Sequence, residues 1–305
     1  MGFGQRHPVL MGLFILSGIF LLFVGGISLF FFAFLSPQRD RPSIFDTRAS
    51  IGVIELNGVI VSPEQTIADL TYFRGNDKIK GILLRIDSPG GAVGASQEIF
   101  EEVKRTNLVK PVVASLGSVA ASGGYYAALG AERILASPGT ITGSMGVIIK
   151  FPNLQELFDK IGYQAMVVKS GPMKDIGSPN RPMTDEELTM LQELIDTTLD
   201  QFILAVAESR SMTEAEVRPL ADGRIFSGQQ ALEHGLIDGL GNFTDGVTAV
   251  AELAGLDTGE PPHLVYPEKE GLSIFSLLSG SGQENLWNRL GHGYPVLSYE
   301  WSTPF

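Results

Sequence analysis

The densest apolar stretch of the chain is residues 8–35, 28 positions without a charge. About 20 apolar residues cross the hydrocarbon of a bilayer, and this run is apolar all round rather than striped. It predicts a retained transmembrane helix. A cleaved leader would be shorter and end at small residues, whereas this run closes on Phe-Phe-Ala-Phe-Leu. The anchor is assigned to residues 1–36 and a polar linker to 37–48.

Beyond the linker the texture changes to short apolar runs alternating with amphipathic ones. Residues 51–56 (IGVIEL) read as a strand that 58–60 continue after a turn, and 81–87 (GILLRID) as a buried strand ending in Ser-Pro-Gly-Gly. Residues 95–106 place Ile99, Phe100 and Val103 on one helical face. Strands at 111–116, 133–136 and 163–168 and a short helix at 122–129 complete an alternating pattern, which predicts βαβ units and an at least partly parallel sheet. From Thr184 the pattern is helical. Thr184 to Glu187 is a capping box opening a helix to about Ser211, Thr213 with Glu216 opens the next, and 227–234 and 242–254 are two more. The domain is assigned to 49–255. A Pro- and Gly-rich tail, 256–305, contains an amphipathic scrap at 272–278.

Composition narrows the function. Lysine plus arginine is 22 against 34 acidic residues, a formal charge of −12. All but Arg6 of that positive charge lies beyond residue 36, leaving 21 basic and 34 acidic groups there, 21 − 34 = −13. Nucleic acid is therefore an unsuitable partner, and the domain should stand off anionic headgroups. The absence of cysteine excludes disulfides, thiol nucleophiles and thiolate metal sites. The four histidines show no metal-binding spacing. No metal and no organic cofactor is expected.

Four segments could carry chemistry. Asp87-Ser-Pro-Gly-Gly91 follows a buried strand; its plain reading is a turn, although paired glycines let backbone N–H groups approach a ligand. Ala120-Ala-Ser-Gly-Gly-Tyr-Tyr126 places Ser122 at a helix N-terminus, either as a simple cap or where the N–H groups and dipole suit an oxyanion. Thr142-Gly-Ser-Met-Gly146 is a polar turn between apolar residues. Residues 169–179 place Lys174 among glycines and prolines, where a solvated lysine is the ordinary outcome. The G-x-S-x-G elbow and the S-x-x-K pattern are both absent, and no histidine has companion motifs. A serine–lysine dyad remains as the serine mechanism this set could support.

In this order and spacing, DSPGG, AASGGYY, TGSMG, GPMKDIGSP and SGQQALEHGLID resemble the signal peptide peptidase family of SppA type (protease IV), short single-repeat form, over roughly 51–254. The resemblance implies an α/β fold of ClpP/crotonase type, a βαβ core with C-terminal helical additions. It implies Ser122 as nucleophile, Lys174 as general base, Ser144 as the hydroxyl that orients the lysine, and the Gly91 and Gly123 N–H groups as oxyanion donors. It also implies a homo-oligomeric ring whose active sites draw on neighbouring subunits. Its substrates would be cleaved signal peptides and other short unfolded peptides. Its location would be the cytoplasmic membrane, single-pass, with the catalytic domain extracytoplasmic. An ordinary lysine is neutral about once in 2,500 at pH 7, so a lysine base must lose solvent, and Asp175 should face away from Ser122. Alternatives are a related membrane peptidase cutting specific membrane proteins, a crotonase-like acyl-CoA enzyme, and a non-enzymatic membrane scaffold.

Overall fold

The structure, a computed structural model, describes residues 16–27, 49–257, 259 and 261–267, with the backbone of 298–300. Met1–Asp46 and Thr47–Phe305 are separate compact units. In the first, residues 16–27 form an exposed helix. Among the described residues no helix is long and apolar enough to cross a membrane. The rest of the 8–35 run, the linker and the 272–278 segment lie outside the described residues.

The second unit is a mixed α/β domain. Its strands are β1 (Ser50–Asn57), β2 (Ile79–Ser88), β3 (Gly90–Ala92), β4 (Val112–Ala121), β5 (Arg133–Ala136), β6 (Ile141–Gly143), β7 (Ile225–Ser227), β8 (Gly239–Leu240), β9 (His263–Val265) and β10 (Ser298–Glu300). Its helices are α1 (Glu64–Gly75), α2 (Val93–Asn107), α3 (Gly123–Ala128), α4 (Gln155–Ile161), α5 (Asp185–Arg210), α6 (Glu214–Val217), α7 (Gly228–Glu233) and α8 (Phe243–Leu253). The main sheet runs β7-β6-β4-β2-β1-β9, with β5 also on β4 and β8 on β5. All its pairings are parallel except β6 with β7. Strand β9, in the stretch read as tail, extends the sheet beside β1.

The centre of this sheet is apolar on both faces, as a helix-covered parallel sheet requires. Ile54, Ile82, Leu84, Ile86 and Val112 pack into the larger core with Phe73, Phe100, Tyr125 and Phe202 from the helices of one side. Ile51, Val53, Leu83 and Val113 face the other way, onto Val247 and Val250 of α8. The capping boxes at Thr184 and Thr213 form as the sequence indicates.

Two expected elements differ. Residues 163–168 make no strand; Met166 and Val168 are 95% and 96% exposed, and no neighbouring chain segment offers a ladder there. Residues 58–60 turn away at Gly58 (φ 74°) instead of prolonging β1, and Ile60 bridges to Gly91. Helix α1 has no apolar stripe that the sequence could announce, since Thr66, Leu70 and Phe73 are its buried positions.

Strand β4 forks, and the fork positions the site. Its first half pairs with β5 (Val113 to Leu116) and its second with β6 (Val119 to Ala121). Against β2 the register shifts from Ile86↔Leu116 to Ser88↔Ala120, two extra residues on β4. The Asp87 carboxylate accepts from the Val119 N–H at 3.1 Å and, more weakly, from the Ser118 N–H at 3.4 Å. The Thr140 hydroxyl donates to the Gly117 carbonyl at 2.8 Å. The bulge therefore has its polar groups answered. Asp87→Ala should lower stability by about 1–3 kcal/mol in urea unfolding, and activity should fall by more than unfolding explains; Asp87→Asn, which keeps an acceptor, should recover most of both.

Candidate active site

Ala121 of β4 lies opposite Gly143 of β6, so Ser122 and Ser144 leave two neighbouring parallel strands side by side. Both have positive φ, 54° and 50°, unusual for a residue with a Cβ. Ser122 has ψ −117° at the cap of α3. Such backbone strain persists only where surrounding structure fixes it. Here the Ser122 N–H donates to the Gly143 carbonyl at 2.7 Å and the Tyr126 N–H to the Ser122 carbonyl at 2.8 Å. The Ser144 N–H donates to the Arg224 carbonyl at 2.8 Å. Among the described residues neither serine hydroxyl has a hydrogen-bond partner, although Ser122 is only 1% exposed. Ser122 makes no side-chain cap hydrogen bond, so it stands at the start of α3 without capping it through its hydroxyl.

The glycines around Ser122 are required by close approach. A Cβ on Gly91 would stand 2.0 Å from the Ile60 carbonyl oxygen. One on Gly123 would stand 2.4 Å from the Ser96 hydroxyl and 3.2 Å from the Gly91 nitrogen. The backbones of Gly91 and Gly123 thus meet beside Ser122. The Ile60 N–H donates to the Gly90 carbonyl and the Ala92 N–H to the Ile60 carbonyl. By strand alternation the Gly91 N–H is directed to the opposite edge. A cleft of about 410 Å³ opens beside Ser144, between Asp222 and the α5 residues Gln192, Asp196 and Leu199. Among the described residues no three His, Asp or Glu side chains are grouped to hold a metal ion.

Lys174 makes no hydrogen bond to this cluster. It lies on the 3₁₀ turn Pro172–Asp175 and is exposed. Among the described residues its amine has no hydrogen-bond or ion-pair partner. Its neighbour Asp175 is fully engaged, accepting from Lys169 at 2.5 Å and Arg181 at 2.8 Å. Arg181 also grips Glu187, at 2.5 Å and 2.8 Å, and Glu187 is the capping-box acid of α5. One guanidinium therefore ties the Lys174 turn to the start of α5. Arg181, then Lys169, hold the Asp175 carboxyl well below the usual range; Arg181, then the Thr184 N–H, hold Glu187 at about 2. The structure thus places Ser122 beside Ser144 and the Gly91 backbone beside that of Gly123, and Lys174 is exposed on its turn with no hydrogen bond to any of them. Ile60 and Arg181 contribute to the arrangement without a sequence motif of their own, and Asp87, the first residue of the DSPGG segment, contributes through its carboxylate rather than as a turn residue.

Residues 104–257 match the family model Peptidase family S49, and 54–140 match that of Clp protease. A Synechocystis protein named as a protease is 46% identical over 212 residues, 69% of this chain and 76% of its own length. The chain belongs to peptidase family S49. Other relatives are a signal peptide peptidase SppA of Enterococcus faecium, 38% identical over 185 residues, and a chloroplastic serine protease SPPA of Arabidopsis thaliana, 33% over 253. These alignments take in 60% and 81% of this chain but 54% and 37% of the relatives' lengths. As an S49 member the protein is a serine peptidase, a hydrolase, and the acyl-CoA and scaffold readings fall away. The sheet, parallel at its centre, agrees with the Clp-protease match.

Two predictions come from this geometry. Gly123→Ala should cut kcat/KM for a peptide by roughly 100-fold or more, the scale for losing one oxyanion donor, and cost about 1–3 kcal/mol by overpacking. Adding Ser96→Ala should restore stability and leave activity low, because the 3.2 Å approach to the Gly91 nitrogen remains. Glu187 has its carboxyl depressed from 4.5 to about 2, so its ion pair stabilises fully above roughly pH 5 and is lost as pH falls from 4.5 towards 2. Thermal melts should show Arg181→Met below the parent at pH 7, with the gap narrowing as Glu187 protonates towards pH 2 and the remainder reporting the Asp175 pair, which stays ionised lower still.

Proposed function

We propose that this chain is a membrane-anchored serine endopeptidase in which Ser122 attacks the peptide carbonyl and Lys174, neutral, takes the hydroxyl proton. The Gly91 and Gly123 N–H groups hold the oxyanion, Ser144 orients the lysine amine, and water later frees the acyl group. The observation that carries this reading is the strained, buried Ser122 with its free hydroxyl against the converging Gly91 and Gly123 backbones. Its substrates are cleaved signal peptides and other short unfolded peptides. The name of the Enterococcus faecium relative supports that class, and the uncharged run at residues 8–35 supports a tether close to such substrates. The location is the cytoplasmic membrane, with the catalytic domain extracytoplasmic.

An exposed lysine is a poor base, because solvent favours its ammonium form. We read the missing burial as supplied by a second copy in a homo-oligomer. Leu157, Ile161, Met166 and Val168, on the stretch leading to Lys174, and Leu188 and Leu194 of α5 are exposed. Exposed apolar side chains such as these are suited to a contact between copies. In such an assembly Lys174 of one copy serves Ser122 of the next.

Ser122→Ala and Lys174→Ala should each reduce peptide cleavage to background. Mixed and co-assembled, the two inactive variants should regain a measurable fraction of parental activity, because some sites combine an intact serine with an intact lysine. Absence of recovery would place both groups of each site in one copy; full activity of Ser122→Ala would end the serine mechanism.

A further inference from the structure

Gly91 follows the turn Ser88-Pro89-Gly90 at the end of β2. Two parts of that turn are set by the backbone itself. The Asp87 carbonyl accepts from the Gly58 N–H at 2.9 Å, and the ring of Pro89 fixes its own φ. Gly90 is the loose joint. Its φ is 102°, and a residue without a Cβ turns through a wide range of conformations. A hydrogen bond on each side holds it. The Gly90 N–H donates to the Ser88 hydroxyl oxygen at 3.1 Å, and the Gly90 carbonyl accepts from the Ile60 N–H at 2.8 Å. The second of these bonds joins two backbones. The first comes from a side chain, and Ser88 is fully buried, level with Ala120, two residues before the nucleophile. We propose that Ser88 is a positioning residue whose hydroxyl fixes Gly90 and thereby aims the Gly91 N–H at the oxyanion.

A serine oxygen that accepts from the N–H two residues on is a local turn device. At the surface water would replace it. Ser88 is 0% exposed, so removing the hydroxyl leaves the buried Gly90 N–H without an acceptor, and rotation about Gly90 is the cheapest relief. The neighbours make that rotation matter. A Cβ on Gly123 would stand 3.3 Å from the Gly90 Cα and 3.2 Å from the Gly91 nitrogen, and one on Gly124 would stand 2.8 Å from the Ser88 carbonyl oxygen. The whole turn therefore lies against the two residues that follow Ser122, and movement at Gly90 shifts one oxyanion donor relative to the other. Such donors act on charge that develops only in the transition state, so their misdirection slows turnover without weakening substrate binding in proportion. The inference rests on the reading of Gly91 as an oxyanion donor to a carbonyl attacked by Ser122.

The test uses the full chain in detergent with two probes, a fluorogenic peptide and a peptide boronate whose adduct with Ser122 carries an oxygen in the oxyanion position. Ser88→Ala should lower kcat by about tenfold with KM changed by less than about twofold, and should weaken boronate inhibition by the same factor as kcat. Ser88→Thr, which keeps the hydroxyl, should retain most of the parental kcat. Ser115→Ala removes another fully buried serine, which accepts from Arg85 at 2.9 Å on the first half of β4. It should lower the melting temperature about as much as Ser88→Ala and leave kcat and boronate affinity at parental values. Equal kinetic losses in the two alanine variants would overturn the proposal, because they would make the Ser88 hydroxyl a matter of stability. A folded Ser88→Ala with parental kcat and boronate affinity would overturn it as well, as would a rise in KM at unchanged kcat. The alanine comparison decides the matter even if the threonine variant fails to fold. Loss of cleavage in Ser122→Ala beside parental kinetics in Ser88→Ala would end this inference and leave the serine mechanism standing, whereas full cleavage by Ser122→Ala would remove the reading beneath it.

Discussion

The arrangement depends on the bulge in β4 that Asp87 caps. Without the two extra residues, β4 would run straight on beside β2, and its end would not meet β6. With them, Ala120 comes level with Ser88, Ala121 with Gly143, and Ser122 is driven into a positive-φ turn. One carboxylate, held by two N–H groups of the neighbouring strand, thus decides where the serine points. The glycines answer separate close approaches: Gly91 runs against the Ile60 backbone, and Gly123 against the Ser96 hydroxyl and the Gly91 nitrogen.

Much of this was legible in the sequence. The central strands announce themselves as apolar runs because both their faces are covered, and the capping boxes announce α5 and α6 through side chains that bond their own backbone. Ser122 and Ser144 leave neighbouring strands, and the Gly91 and Gly123 backbones approach one another. What remained hidden has physical reasons. Helix α1 buries Thr66, Leu70 and Phe73, one face on which a threonine breaks the apolar pattern, and β6 and β7 have three residues each, too few for periodicity to register. Residues 163–168 have strand composition but pair with no strand among the described residues. Asp87 reads as the opening of a turn, and nothing local reveals that its carboxylate is committed to Ser118 and Val119, 31 and 32 residues away. The pairing of β10 with β3 is similarly non-local.

The site separates into a rigid half and an adjustable half. Ser122, Ser144 and the glycines are fixed by sheet register and by backbone hydrogen bonds within the core. Lys174 stands on a loop whose tie to the domain is the Arg181 link between Asp175 and Glu187. This division is what the proposed dyad requires if a second copy supplies the surface that covers Lys174. An isolated copy would then be restrained from cleaving whatever it meets.

The central claim is that the buried Ser122 hydroxyl is a nucleophile activated by the Lys174 amine. The most direct measurement is site-resolved acylation of the assembled protein by a serine-reactive phosphonate, followed by peptide mass spectrometry. The account requires one dominant adduct on the peptide containing Ser122, formed at a rate that collapses when Lys174 is replaced by alanine. An adduct on another serine, or labelling of Ser122 at the same rate without the lysine, would contradict it.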